Sequence, residues 1–82
     1  MRLDKFLKVS RLIKRRTSAA KASEAGRVLV NGIQAKPAKQ IKQGDTITVE
    51  YASGALSVKI LSVPDKNISA QEADSLYEII EN

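Results

Sequence analysis

The spacing of apolar positions switches twice along the chain, from helical to alternating and back, and the switches mark out its elements. Leu3, Phe6, Leu7, Ser10 and Ile13 follow helical spacing and gather on one face. At about 100° per residue, Lys5, Lys8, Arg11 and Arg15 fall on roughly the opposite face. Leu12 lands among those bases, which predicts that the helix ends or bends near Ser10 to Leu12. A second short helix is bracketed by Thr17, whose hydroxyl suits an N-cap, and by Gly26, which suits a left-handed terminator. The residues between them, Ser18 to Ala25, are mostly small and allow close approach to a neighbouring helix.

Alternation then takes over. Val28-Leu29-Val30 reads as a strand, Asn31-Gly32 as a type I′ hairpin turn, and Ile33-Gln34-Ala35 as the returning strand, ended or edged by Pro37. Gly44-Asp45 predicts a turn into the alternating run Thr46 to Tyr51. A loop at Ser53-Gly54 leads into a further strand, Leu56 to Ile60, and Pro64-Asp65-Lys66-Asn67 predicts a turn. Helical spacing returns at the end. Ser69-Ala70-Gln71-Glu72 has the form of a capping box, Ala73, Leu76, Tyr77 and Ile80 share a face, and Glu72, Asp74, Glu78 and Glu81 lie outside it. The expected fold class is α+β: two N-terminal helices packed on a small, mainly antiparallel sheet, with a C-terminal helix, in one domain over residues 1–82.

Charge adds a direction to this layout. Residues 1–42 hold twelve bases against two acids, Asp4 and Glu24 (+10), while residues 43–82 hold two bases against seven acids (−5). So polarised a chain predicts a polyanion on the basic half and an acidic half turned away from it. The candidate RNA-binding set is Arg2, Lys5, Lys8, Arg11, Lys14, Arg15, Arg16 and Lys21. A rigid array of cations gains from releasing the counterions condensed on phosphates. Lys and Arg also belong on helix exteriors for solubility alone, but twelve to two exceeds that need. Arg2 and Arg16 stand apart because a guanidinium grips phosphate as a planar fork. Asp4 has two readings: it holds a nearby arginine, or it stabilises the start of its own helix.

Other chemistries are poorly served. The chain has no cysteine and no histidine, which removes disulfides, thiolate metal sites and the commonest general base. No catalytic residue, metal ligand or cofactor is expected, and the chain is read as a binding protein rather than an enzyme. Phe6, Tyr51 and Tyr77 are its only aromatics, too few for a platform that stacks unpaired bases. RNA shape and backbone are the expected targets. Met1 to Arg16 lacks the apolar stretch of a signal peptide, and nothing is long enough to span a bilayer. A cytoplasmic monomer with no membrane contact is expected.

Several dispersed motifs resemble the S4 RNA-binding domain. They are Arg2-Leu3-Asp4-Lys5-Phe6-Leu7, Arg15-Arg16-Thr17-Ser18-Ala19-Ala20-Lys21, Gly26-Arg27-Val28-Leu29-Val30-Asn31-Gly32 and Gly44-Asp45-Thr46-Ile47. The resemblance implies an S4-like core over about residues 2–49 and a variable extension over 50–82. The chain as a whole, with its Arg2-to-Thr17 opening and short length, is similar to the stand-alone S4 proteins of bacterial ribosome-associated quality control, the RqcP family. That similarity implies binding to the large (50S) subunit, with contacts to helix 69 of 23S rRNA and to P-site tRNA. It also implies support of alanine tailing by the partner protein RqcH. The family's rRNA-contacting arginines map onto Arg2 and Arg16. One departure is Thr17-Ser18, where many S4 domains carry Ser-Arg, so the base sits at Arg16 instead. Two rivals remain: a heat-shock S4 protein that rescues large subunits carrying peptidyl-tRNA, and an adaptor that binds protein through the acidic final helix.

Overall fold

The computed structural model describes residues 1–64 and 70–81. Helices α1 (Leu3–Val9) and α2 (Arg16–Glu24) precede strands β1 (Val28–Val30), β2 (Ile33–Gln34), β3 (Thr46–Tyr51) and β4 (Gly54–Ile60). A single helical turn α3 (Ala70–Ala73), a 3-10 turn (Asp74–Leu76) and β5 (Tyr77–Glu81) complete the order. The five strands form one sheet in the order β2-β1-β3-β4-β5, and every neighbouring pair is antiparallel.

The apolar face of α1 forms the centre of the core. Leu3, Phe6 and Leu7 are fully buried and belong to one cluster with Val28, Ile47, Val58 and Ile60 from the sheet. Ser10 shares that face and is fully buried. Its hydroxyl donates to the Leu7 carbonyl at 3.3 Å, which satisfies it without water. Helix α2 packs on α1, burying Ala19 and Ser23, whose small side chains permit the approach.

Helix ends explain themselves in backbone terms. The expected bend falls where α1 stops, with Ser10 as C-cap and Arg11 in the left-handed region at φ +64°. Helix α2 starts earlier than its sequence predicts, which corrects the assignment of Thr17 as N-cap. Arg15 is the extended residue at the boundary and its carbonyl accepts the first helical bond from Ala19, so Thr17 lies inside the first turn. At the other end Gly26 terminates the helix as expected. Its φ is +79°, and the amides of Gly26 and Arg27 bond back to Ser23 and Ala22, a Schellman closure. A Cβ at Gly26 would also lie 2.7 Å from Gln34 Nε2.

The Asn31-Gly32 turn has both residues at positive φ, as type I′ requires. Asn31 does more than turn the chain. Its side chain donates to Asp45 at 3.1 Å and accepts the Thr46 amide at 3.0 Å, tying the hairpin tip to the start of β3. Asp45 is 5% exposed. Burial alone would raise its pKa, but hydrogen bonds from Asn31 and from the Lys42 amide and ammonium outweigh this and hold it below the ordinary carboxylate value. A depressed folded-state pKa contributes stability above the unfolded value near 4 and loses it as pH falls through the lower folded value. Asp45→Asn is expected to cost about 1–3 kcal/mol at pH 7. That gap should narrow below about pH 4, as followed by urea midpoints between pH 2.5 and 7. A gap constant with pH would overturn the assignment.

The C-terminal helix expected from the periodicity is not what forms. Only Ala70–Ala73 is α-helical, and Tyr77–Glu81 pairs with β4 instead. The buried half of the pattern holds, since Ala73 and Leu76 are 1% and 4% exposed. Beyond it, Ile79 and Ile80 are adjacent β-branched residues with stiff χ1 preferences that favour a strand. The open edge of β4 supplies the hydrogen-bond partner that a helix does not need. Ile80, assigned to the apolar helix face, is instead 52% exposed. Asp65, Lys66 and Asn67 of the expected turn, and Ser69 of the expected capping box, lie outside the described residues.

Candidate nucleic-acid interface

Arg2, the N-cap residue of α1, makes no side-chain capping bond. The first two amides of the helix, of Leu3 and Asp4, donate to the carbonyls of Lys39 and Pro37 at 2.8 and 3.1 Å. Arg2 forms an isolated bridge with Gln40, and the Ile41 amide bonds to the Met1 carbonyl. The segment around residues 37–41 therefore lies against the N-terminal end of α1.

That docking places Asp4 at the focus of the basic surface. Its side chain is 5% exposed and meets two guanidinium groups. Arg2 reaches it through Nε at 3.3 Å and through Nη2 at 3.3 Å. Arg16, from the first turn of α2, reaches the same carboxylate through Nε at 3.4 Å. The Lys5 amide also donates to Asp4 Oδ1 at 2.8 Å. Both readings of Asp4 hold at once: it accepts an otherwise orphaned helix amide and holds a pair of arginines.

Arg2 and Arg16 remain 47% and 48% exposed in their side chains. Ion pairs so open to solvent add little stability, about 0–1 kcal/mol each. Their effect is to restrict rotamers: one buried carboxylate brings two flexible forks side by side before any ligand arrives. Ordering such a side chain on binding costs about 0.5–1.5 kcal/mol, and the clamp removes part of that cost in advance.

The other expected site residues are spread over the same helix pair. Lys5 is half-buried, and Lys8, Arg11, Lys14, Arg15 and Lys21 are exposed. Lys8 and Lys21 occupy the last turns of α1 and α2, where the helix dipole favours a cation. Arg11, Lys14 and Arg15 belong to the corner between the helices. The clamp thus joins Arg2 with Arg16, while the remaining six lie elsewhere on the helix pair and its corner. Lys36 and Lys39, which follow the Asn31-Gly32 turn, were left out of the candidate set because that turn has a sufficient structural explanation. Both are exposed, and the carbonyls of Lys39 and of Pro37, next to Lys36, hold the start of α1, so they extend the basic surface beside Arg2. Their place in the twelve-base excess was the available signal, but no local pattern encodes a contact across more than thirty positions. Among the described residues no group of three metal-ligating side chains occurs, and no helix is long and apolar enough to cross a membrane.

A pair of basic helices on a small antiparallel sheet is the architecture of an RNA-binding module of the S4 type. A family model for the S4 domain matches residues 1–47, and the chain belongs to that family. It is 45% identical over 80 residues to the RQC P-site tRNA stabilizing factor of Listeria monocytogenes, covering 98% of this chain and 86% of that protein. The protein of the same name from Bacillus subtilis is also 45% identical over 80 residues, covering 98% of this chain and 92% of its own. Among solved structures, the trimeric heat shock protein 15 of Vibrio cholerae matches with a TM-score of 0.90 at 35% identity, over 98% of this chain and 81% of that one.

Proposed function

We propose that this protein is a ribosome-associated RNA-binding factor that stabilises tRNA in the P site of the large subunit. The observation that carries the reading is the Asp4 clamp, which presents Arg2 and Arg16 as a pre-oriented pair within a basic helix surface. The near full-length relatives named as P-site tRNA stabilizing factors point to the same ligand. In this reading the two forks grip backbone phosphates, of helix 69 in 23S rRNA and of the tRNA, and the surrounding lysines and arginines add counterion release. The protein supplies binding and geometry. Peptidyl transfer belongs to the rRNA, and alanine tailing depends on RqcH as functional partner. The site is proposed to be complete in a single copy, acting in the cytoplasm.

Affinity for large subunits carrying P-site tRNA should fall steeply with salt. With four to eight phosphates engaged, log K should drop by roughly three to seven for each tenfold rise in salt. Co-sedimentation between 50 and 300 mM KCl measures this, and a flat response would sink phosphate docking.

The match to heat shock protein 15 supports a second reading, rescue of large subunits carrying peptidyl-tRNA without tailing. The two separate in cells: deletion abolishes RqcH-dependent alanine tails on stalled chains in the first reading and leaves them intact in the second. The adaptor reading rested on an acidic C-terminal helix; Tyr77–Glu81 pairs with β4 as a strand instead, and the exposed acids Glu72, Asp74 and Glu78 are divided between two short helical turns and that strand.

A further inference from the structure

The corner between α1 and α2 carries three exposed cations, Arg11, Lys14 and Arg15, on a backbone that is not relaxed. Arg11 sits at φ +64°, a region that suits glycine and strains any residue with a Cβ. Such a conformation persists only where its surroundings enforce it. The side-chain fastenings within the corner are long: Ser10 Oγ lies 3.3 Å from the Leu7 carbonyl and 3.5 Å from the Leu12 amide. The shortest polar contact on the corner arrives from elsewhere in the chain. Tyr51, the last residue of β3, donates its hydroxyl to the Leu12 carbonyl at 2.6 Å, across 39 positions of sequence. Burial and the nearby Tyr77 push that hydroxyl above its ordinary pKa of 10.0, so the donor form persists throughout the neutral range. Tyr51 also lies beyond residues 1–47, the segment matched by the S4 family model.

We infer that Tyr51 is a positioning residue for RNA binding, whose hydroxyl holds the Leu12 carbonyl and thereby keeps Arg11, Lys14 and Arg15 in the arrangement that engages phosphates. The inference rests on the reading of the helix pair as an RNA surface. It requires no contact between Tyr51 and RNA. Without the tether, the buried Leu12 loses the partner of its carbonyl, and Arg11 is free to leave its strained conformation. The corner must then be re-ordered each time RNA binds, which lowers affinity without removing a charge.

Tyr51→Phe keeps the ring and deletes only the donor. On large subunits carrying P-site tRNA, affinity is expected to fall about three- to tenfold. The salt slope is expected to become shallower by about 0.7 to 0.9, the equivalent of one phosphate contact. General loosening of the fold would lower affinity and leave the slope unchanged, which would overturn the proposal. The deciding comparison places Tyr51→Phe in an Arg11→Ala, Lys14→Ala, Arg15→Ala background at low salt. There the substitution should have no further effect, whereas an equal loss in both backgrounds would show that the tyrosine does not act through the corner. A wild-type protein whose binding ignores salt refutes the phosphate reading itself. Salt-steep wild-type binding that Tyr51→Phe leaves unaltered refutes the tether alone.

Discussion

Replacing Arg2 and Arg16 together with alanine is expected to lower affinity for tRNA-bearing large subunits by about two orders of magnitude or more. Each arginine offers charge-assisted hydrogen bonds to phosphate, worth about 1.5–3 kcal/mol apiece, and a tenfold change in affinity corresponds to about 1.4 kcal/mol. The structure adds a consequence that the charges alone do not contain. With both guanidinium groups gone, the Asp4 carboxylate, 4% exposed in the intact protein, loses both ion-pair partners and keeps the Lys5 amide as its remaining donor. The double variant should therefore also lose up to about 2 kcal/mol of stability, the sum of the two solvent-open pairs. Adding Asp4→Asn removes the stranded charge, so the triple variant should regain much of that stability and none of the affinity. Urea unfolding and subunit co-sedimentation on the same three proteins separate the two effects. Recovery of binding in the triple variant would mean that folding, not phosphate contact, explained the loss.

The second large effect concerns the core. Phe6→Ala should destabilise the domain by about 3–5 kcal/mol, the usual range for emptying a large aromatic from a packed interior. Phe6 is fully buried at the centre of the α1 face. An 82-residue chain has on the order of 4–12 kcal/mol of stability in total, so one truncation removes a large share of it. Thermal unfolding by circular dichroism should show a fall in midpoint of well over ten degrees, or loss of the transition. RNA binding should fail with it although no cation is altered. A midpoint within a few degrees of wild type would mean that α1 is not the centre of the core. Phe6→Leu, which keeps most of the volume, should be much milder.

How much of this was legible depended on whether the cause was local. The apolar face of α1, the stop near Ser10, the left-handed Gly26 and the Asn31-Gly32 turn are all dictated by neighbours within a few residues, and each appears where its pattern predicts. Thr17 was misplaced because capping propensity favours threonine, while the actual boundary is set by the extended backbone of Arg15 as it leaves the corner. The C-terminal strand was misread because Leu76, Tyr77 and Ile80 satisfy helical spacing as well as strand chemistry. What decided between them was the unpaired edge of β4, a tertiary fact. The candidate site divides in the same way. Its charges were visible as a count, and Arg2 and Arg16 stood out by residue type and by family resemblance. The sharing of one carboxylate between them, and the approach of Lys36 and Lys39, come from packing between distant segments.

The two basic helices are only seven and nine residues long, below the roughly 12–15 residues at which isolated helices become even marginal in water. The amides that open α1 bond to Lys39 and Pro37, and its buried face needs the sheet. The cationic surface is therefore a late product of synthesis. While the first twenty or thirty residues emerge from the ribosome, they are a charged coil with no fixed spacing, and the specific grip forms only once the strands have been made. A peptide of the two helices alone would therefore carry the charge without the fixed spacing.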